Sequence, residues 1–155
     1  MDRSATGRES KPLVNEVEKG AIRRFAEALG ETNPIHFDEG AARAAGYRSI
    51  VAPLTFPCAL RAGSDLREGL MVSPGKHLLQ AEQSFEYWKP IVAGDRITVR
   101  ARVVEISARP TPSGPADVVV IEDEGRDEAG ELVYRGRQLL VVRMTPKQSA
   151  EVMHE

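Results

Sequence analysis

Hydrophobic residues repeat with two different periods along this chain, a helical one in the first half and an alternating one in the second. In the first half, four apolar residues lie at positions i, i+3, i+4 and i+7: Ile22, Phe25, Ala26 and Leu29. This spacing predicts an amphipathic helix from about Glu18 to Leu29. Gly30 suits the left-handed backbone conformation that commonly follows the last residue of a helix. From His77 onward, apolar and polar residues alternate, as in strands that bury one face.

Further elements follow from capping and turn residues. Asp38 is a suitable N-cap for a short helix over Glu39–Ala45, and Thr55 for a longer helix that reaches Glu68. Leu13–Val17 is predicted to be extended. The alternating half divides into strands separated by Pro-, Gly- and Asp-containing connections. The predicted strands run over residues 77–88, 96–106, 117–124 and 131–143, with a surface loop at residues 107–116.

The order of these elements, helices first and then a run of antiparallel strands, predicts an α+β fold in which a sheet packs against one main helix. At 155 residues the chain has the size of one domain. We expect a flexible N-terminal tail at residues 1–11, the folded domain at 12–145, and a C-terminal tail at 146–155.

Composition and charge exclude several classes of function. The net charge is −2, and no basic stripe accompanies the aromatic residues, so neither a nucleic-acid partner nor an anionic membrane surface is expected. No apolar run approaches the about 20 residues that cross a bilayer. No signal sequence is evident, so a cytoplasmic location is expected. The single cysteine, Cys58, excludes an internal disulfide and is predicted to be a small buried hydrophobe.

The stretch Glu31–His36 (ETNPIH) carries the chemistry. Pro34 stops the preceding helix from continuing and favours an extended Asn33. A carboxylate and an imidazole that flank one small site can hold a water molecule and move its protons, which is general acid–base catalysis. The structural alternative is a solvated Glu31 and a His36 that only hydrogen-bonds the backbone. His36 with Asp38 is a weak metal-ligand pair, and phosphate-binding glycine loops are absent, so no metal or cofactor is expected.

Three segments resemble a known family. GETNPIHFDEGAA is similar to the G-D-x-N-P-[LIV]-H signature of MaoC-like (R)-specific enoyl-CoA hydratases, and FEYWKPIVAGDRITVRARVVEI is similar to their strand–Pro–Gly-Asp–strand segment. AAGYRSIVAPLTF resembles the N-terminal subfamily of fatty-acid-synthase-type dehydratases, which includes the accessory subunits of mycobacterial (3R)-hydroxyacyl-carrier-protein dehydratases. The resemblance covers about residues 17 to 143.

The resemblance implies a single hot-dog fold, in which a curved antiparallel sheet wraps a long helix. It implies reversible hydration of a trans-2-enoyl thioester of coenzyme A or acyl-carrier protein to the (R)-3-hydroxyacyl thioester, in a homodimer or in a heterodimer with another hot-dog chain. Glu31 and His36 would be the catalytic pair, and Asn33 would support the site. A main-chain N–H from Leu54, Thr55 or Phe56 would polarise the substrate carbonyl at the start of the central helix.

The chain departs from the family pattern at two places. Glu31 stands where the family has Asp, and Pro53-Leu54 stands where catalytic members have His-Gly. The second departure is typical of accessory subunits, yet those subunits usually lack the histidine that this chain keeps as His36. A non-catalytic substrate-binding subunit of a heterodimeric dehydratase therefore stays open as an alternative. A hot-dog thioesterase is a weaker one, because those enzymes lack the NPxH loop.

Overall fold

The computed structural model describes residues 3–63, 65–66, 76–111 and 114–144. The helices and strands that lie wholly within these ranges are β1 (Leu13–Glu16), α1 (Lys19–Leu29), α2 (Glu39–Ala44), β2 (Lys76–Tyr87), β3 (Arg96–Thr111), β4 (Gly114–Arg126) and β5 (Leu132–Met144). Short 3₁₀ turns cover Arg3–Ala5, Pro34–His36 and Phe56–Ala59. The predicted helix that ends at Leu29, the short helix capped by Asp38 and all four predicted strands are confirmed.

The strands form one antiparallel five-stranded sheet in the order β1-β3-β4-β5-β2. The pairing register shifts once in each of the three long pairs, between Gln80 and Glu82, between Val103 and Glu105, and between Gly125 and Arg126. Such bulges bend a strand and increase its twist. The sheet is therefore curled, and its concave face carries the core.

The core forms because alternate residues of the strands face the concave side. Tyr134 on β5 is the largest fully buried side chain among the described residues, and it belongs to the same apolar cluster as Ile97 and Val99. Gly125 on β4 makes room for it, since a Cβ at that position would overlap the Tyr134 ring. A second cluster, built around Val103, Val119 and Leu140, continues the core along the sheet.

The predicted helix over Thr55–Glu68 is wrong in its first part. Only the 3₁₀ turn Phe56–Ala59 is present there, and Leu60 is extended, with φ −77° and ψ 143°. Asn15 on β1 fixes the backbone that follows: its amide oxygen accepts from the Arg61 N–H at 2.7 Å, and its amide nitrogen donates to the Arg61 carbonyl at 3.1 Å. Helical conformation begins at Asp65 and Leu66, and residues 67–68 lie outside the described ranges.

The surface loop predicted for residues 107–116 is also wrong, because β3 continues to Thr111 and β4 starts at Gly114. Pro110 faces Pro115 across the pair. Neither proline has an N–H, so the two can face each other only at a non-hydrogen-bonded pair, where no N–H is needed between the strands. The prediction that Cys58 is buried fails as well: its side chain is exposed, because the turn Phe56–Ala59 points it outward.

The segment expected to be a flexible N-terminal tail lies along β3 from residue 3 onward. Ala5 is buried, the Gly7 N–H donates to the Val103 carbonyl at 2.8 Å, and the Ser10 N–H donates to the Ala101 carbonyl at 2.8 Å. β1 pairs with β3 only as far as Val99. The bonds from Gly7 and Ser10 therefore continue the pairing along the next part of β3, whose backbone groups would otherwise be exposed at the edge of the sheet. The C-terminal tail at 146–155 lies outside the described residues.

None of the helices in the described ranges has the length and apolar character needed to cross a lipid bilayer.

Candidate active site

The site begins where α1 ends. Gly30 adopts a left-handed conformation, with φ 71° and ψ 26°, which costs glycine little because it lacks a Cβ. The Gly30 N–H donates to the Glu27 carbonyl at 3.0 Å, and the Glu31 N–H donates to the Ala26 carbonyl at 3.0 Å. These two bonds are those of a Schellman motif. They fix the position of Glu31, two residues beyond the end of α1, with its side chain exposed.

The next turn places His36. The Asn33 side-chain oxygen accepts from the Ile35 N–H at 3.2 Å and caps the 3₁₀ turn Pro34–His36, in which proline occupies the first position. Proline needs no N–H partner there, and its fixed φ suits the turn. His36 is buried, with 9% of its surface exposed, whereas Asn33 is exposed. Asn33 therefore orders the loop, and it is not among the residues that line the cavity beside it.

Val51 holds this loop from the other side. Its N–H donates to the Ile35 carbonyl at 3.0 Å, and its carbonyl oxygen lies 2.7 Å from Nδ1 of His36. A carbonyl can only accept, so Nδ1 carries the hydrogen in the neutral ring and Nε2 carries the lone pair. Val51 is itself paired with Val92 in a short antiparallel bridge. The position of the imidazole thus depends on contacts between distant parts of the chain.

A cavity of about 390 Å³ opens beside the loop. Four of the six residues singled out from the sequence line it: Glu31, His36, Leu54 and Thr55. Among the lining residues with polar side chains, sequence reasoning missed two, Tyr47 and Tyr87. Tyr47 follows Gly46, just after α2, and Tyr87 is the last residue of β2. The only sequence signal for either residue was its position at the end of a predicted helix or strand. The remaining wall is largely apolar, and it includes the exposed Leu29 at the cavity's edge.

A tight turn over Pro53–Phe56 forms one side of the cavity. The Phe56 N–H donates to the Pro53 carbonyl at 2.9 Å, and Thr55 has φ −96° and ψ 4°, the values of the third residue of a type I turn. Phe56 is buried against Phe25, with ring centroids 5.4 Å apart and nearly perpendicular planes. The structure therefore places Phe56 in the core, outside the cavity wall.

The main-chain N–H groups of the turn differ in what they can bind. That of Phe56 is used within the turn. Those of Leu54 and Thr55 have no hydrogen-bond partner among the residues that the structure describes. The Leu54 carbonyl accepts from the hydroxyl of Tyr87 at 2.7 Å. Partial burial raises the pKa of Tyr87, so this hydroxyl stays protonated and remains a donor at neutral pH.

A structural ion pair lies at the start of α2, just after the loop. Glu39, in the first turn of α2, accepts from Lys19 at 2.8 Å and from the Ser49 hydroxyl at 2.8 Å. The hydrogen bond from Lys19 is the main cause that lowers the pKa of Glu39. Glu31 has no such cation beside it within the described ranges. In the same part of the chain, no three His, Cys, Asp or Glu side chains lie close enough together to hold a metal ion.

The arrangement can carry out acid–base chemistry on a small ligand. An exposed carboxylate and a buried imidazole with an available Nε2 border one cavity. Leu54 and Thr55, whose main-chain N–H groups have no partner within the described ranges, also line it. Such N–H groups can stabilise negative charge that develops on a substrate oxygen.

Comparisons with known proteins agree with this architecture. The family model described as FAS1-like, dehydratase domain region matches residues 4–135. A UPF0336 protein of Streptomyces avermitilis is 36% identical over 147 residues, which cover 92% of this chain and 95% of the relative.

Solved structures are also similar. The C-terminally truncated HadBC (3R-hydroxyacyl-ACP dehydratase) complex from Mycobacterium tuberculosis contains a chain with a TM-score of 0.76 and 28% identity, covering 88% of this chain and 96% of that one. The MaoC-like dehydratase from Rhodospirillum rubrum has a TM-score of 0.67 and 26% identity, covering 92% and 94%. The predicted α+β hot-dog fold is confirmed by these neighbours and by the curled sheet.

Proposed function

Because the chain belongs to the family of the FAS1-like dehydratase domain region, we propose that it adds water reversibly to trans-2-enoyl thioesters and forms (R)-3-hydroxyacyl thioesters. Glu31 and His36 are the acid–base pair in this proposal. The observation that carries it is that both side chains border one cavity while Nδ1 of His36 is held by the Val51 carbonyl. That contact leaves Nε2 available for proton transfer.

The pair holds one water molecule against the double bond. As the water oxygen bonds to C3 of the substrate, the π bond between C2 and C3 breaks, the O–H bond of the water breaks, and the released proton passes to the member of the pair that acts as base. The same member then delivers a proton to C2, so both groups end in the protonation state in which they began, and dehydration is the same path in reverse. A free Nε2 and an exposed carboxylate suit these roles because each can accept and donate a proton.

The thioester carbonyl needs a donor, since charge develops on its oxygen while C2 is an enolate carbon. Phe56 is unsuited, because its N–H is bonded within the turn. The N–H groups of Leu54 and Thr55 remain, and we assign the role to this pair. Removing one such donor typically costs about 10²- to 10³-fold in kcat. Asn33 acts indirectly, by capping the turn that carries His36.

The test is hydration of crotonyl-CoA by the purified chain, followed as loss of enoyl-thioester absorbance, with chiral analysis of the product. We expect the (R)-3-hydroxy product. Glu31→Gln should lower kcat by about 10²- to 10⁴-fold, the range for a lost acid–base group, with little change in Tm because Glu31 is exposed. Glu27→Gln, an exposed carboxylate in the last turn of α1, is the matched control and should leave turnover unchanged. Equal turnover in the Glu31 and Glu27 variants would contradict the proposal.

A second candidate function is that of a substrate-binding subunit whose hot-dog partner carries the chemistry. The turn Pro53–Phe56 favours it, since it replaces the His-Gly of catalytic members. A structural neighbour at 28% identity is a complex of (3R)-hydroxyacyl-ACP dehydratase chains. Absence of turnover by the chain alone, with turnover restored by a co-purified hot-dog partner, would favour this function over the first.

In either case we propose a dimer, homo- or heteromeric. β2 is an edge strand that pairs only with β5 in the sheet, and its Leu79 is 55% exposed. A long exposed edge with unpaired backbone groups is a surface on which another strand can add. The mass of the purified protein in solution tests this proposal, and a monomer at micromolar concentration would contradict it.

A further inference from the structure

The turn over Pro53–Phe56 has one peptide unit that its own hydrogen bond does not fix. The bond from the Phe56 N–H to the Pro53 carbonyl closes the turn, but the middle peptide, between Leu54 and Thr55, lies across it without an internal partner. Type I and type II turns differ by a rotation of about 180° of this middle peptide. A full rotation would require positive φ at Thr55, which a β-branched residue resists. Smaller rotations of the peptide between Leu54 and Thr55 do not require positive φ and remain possible.

Tyr87 holds this middle peptide. Its hydroxyl donates to the Leu54 carbonyl at 2.7 Å, across 33 positions of sequence. The ring itself is well anchored: Tyr87 is the last residue of β2, pairs in register with Tyr134 on β5, and has its ring centroid 6.1 Å from that of Tyr134. The carbonyl is therefore tied to the sheet and not only to its own loop.

A trans peptide is planar, with its C=O and N–H pointing in opposite directions. Fixing the Leu54 carbonyl therefore fixes the direction of the Thr55 N–H, which belongs to the same peptide unit. That N–H has no partner among the described residues, and Thr55 lines the cavity that Glu31 and His36 border. A hydrogen-bond donor stabilises developing charge well only when it is already oriented before the reaction.

We propose that Tyr87 is a positioning residue, whose hydrogen bond to the Leu54 carbonyl sets the direction in which the Thr55 N–H meets the thioester carbonyl oxygen of the substrate. This inference rests on the proposed function for the identity of the ligand. It assigns a role to a residue that does not itself touch the reacting atoms. It also predicts that polarisation of the bound carbonyl depends on a hydroxyl on the far side of the peptide.

The test uses Tyr87→Phe in the full chain, with its partner if one is required for activity. Tyr134→Phe is the matched control: it removes the same atom from the neighbouring tyrosine, whose hydroxyl makes no hydrogen bond to the turn. The readout is the carbonyl stretching frequency of bound butyryl-CoA labelled with ¹³C at the thioester carbon, measured by difference infrared spectroscopy. This saturated ligand cannot be hydrated, so the spectrum reports only polarisation of the carbonyl. The crotonyl-CoA rates are measured in parallel.

We expect the wild type to lower this frequency relative to the free thioester, Tyr87→Phe to lower it less, and Tyr134→Phe to match the wild type. For hydration, loss of one hydrogen bond predicts kcat about tenfold lower with KM within about twofold in Tyr87→Phe. A Tyr87→Phe protein that keeps both the wild-type frequency and the wild-type kcat would overturn the inference and leave the proposed function standing.

If no protein in the series hydrates crotonyl-CoA, the proposed function fails, and the infrared comparison still decides the role of Tyr87. A frequency difference confined to Tyr87→Phe would support the role for a bound, unreacted thioester. Equal frequencies in all three proteins would overturn it.

Discussion

His36 makes one structural contact and has one proposed catalytic role, and two substitutions can separate them. Its Nδ1 donates to the Val51 carbonyl at 2.7 Å, which is a structural contact, and its Nε2 is the atom that the proposed reaction uses. Alanine removes both. Asparagine removes Nε2 but keeps a nitrogen attached to Cγ, in nearly the place of Nδ1, so that its amide N–H can still donate to Val51.

The structural contact has a calculable cost. His36 and Val51 are 9% and 7% exposed, so His36→Ala leaves a buried carbonyl without its partner, a loss of about 1–3 kcal/mol. In a domain of this size each kcal/mol shifts Tm by about 2–4 °C. We therefore expect a Tm about 4–8 °C lower in His36→Ala for the middle of that range. In His36→Asn, most of this loss should be recovered.

The catalytic loss should be the same in both variants. A missing acid–base group lowers kcat by about 10²- to 10⁴-fold, and neither Ala nor Asn supplies one. Thermal unfolding and crotonyl-CoA hydration on the same preparations give both quantities. Turnover above about one tenth of wild type in His36→Asn would refute proton transfer by His36, because the loss would lie far below the range for an acid–base group. Equal destabilisation of the two variants would refute the role of the bond to Val51.

Three further substitutions test other parts of the fold. Gly30→Ala should lower the unfolding free energy by about 1–2 kcal/mol, because φ is +71° and no neighbouring atom adds a clash; an unchanged urea midpoint would contradict this. Asn15→Ala should cost about 1–3 kcal/mol by leaving the Arg61 N–H without its acceptor at 2.7 Å, and wild-type stability would show that water replaces it. Glu39→Gln should weaken the fall of the unfolding free energy at acidic pH. The Lys19 hydrogen bond lowers the pKa of Glu39 in the folded protein. The stabilisation by Glu39 is therefore present above its unfolded-state pKa and is lost as the pH falls through its folded-state pKa. An unfolding free energy that falls with pH as it does in the wild type would contradict that assignment.

Local chemistry determined the parts of the site that lie close together in sequence. The stripe of α1, the left-handed Gly30 and the cap from Asp38 to the Ala41 N–H at 2.7 Å all arise from neighbouring residues, so the sequence predicts them. The same holds for the loop that carries Glu31 and His36, since Pro34 and Asn33 shape it within a few residues. The alternation of the four long strands also sufficed to place them.

Tertiary contacts decided the rest. Thr55–Glu68 has the residues of a helix, yet the Asn15 side chain binds the backbone of Arg61 from 46 positions away. This contact competes with helix formation for the Arg61 backbone groups, and no local sequence pattern indicates it. The prolines of residues 107–116 suggest a loop, but Pro110 and Pro115 face each other beyond the part of β3 that pairs with β1 and the part of β4 that pairs with β5.

The cavity has the same origin. The bond between Tyr87 and the Leu54 carbonyl joins the end of a strand to a turn 33 residues earlier. The contact between His36 and Val51 depends on the bridge from Val51 to Val92. The sequence therefore predicted that Glu31 and His36 lie together in one loop, and the structure places both beside the cavity. Only the folded sheet decided which backbone groups face them, because hydrogen bonds between distant segments leave no periodic signal in the chain.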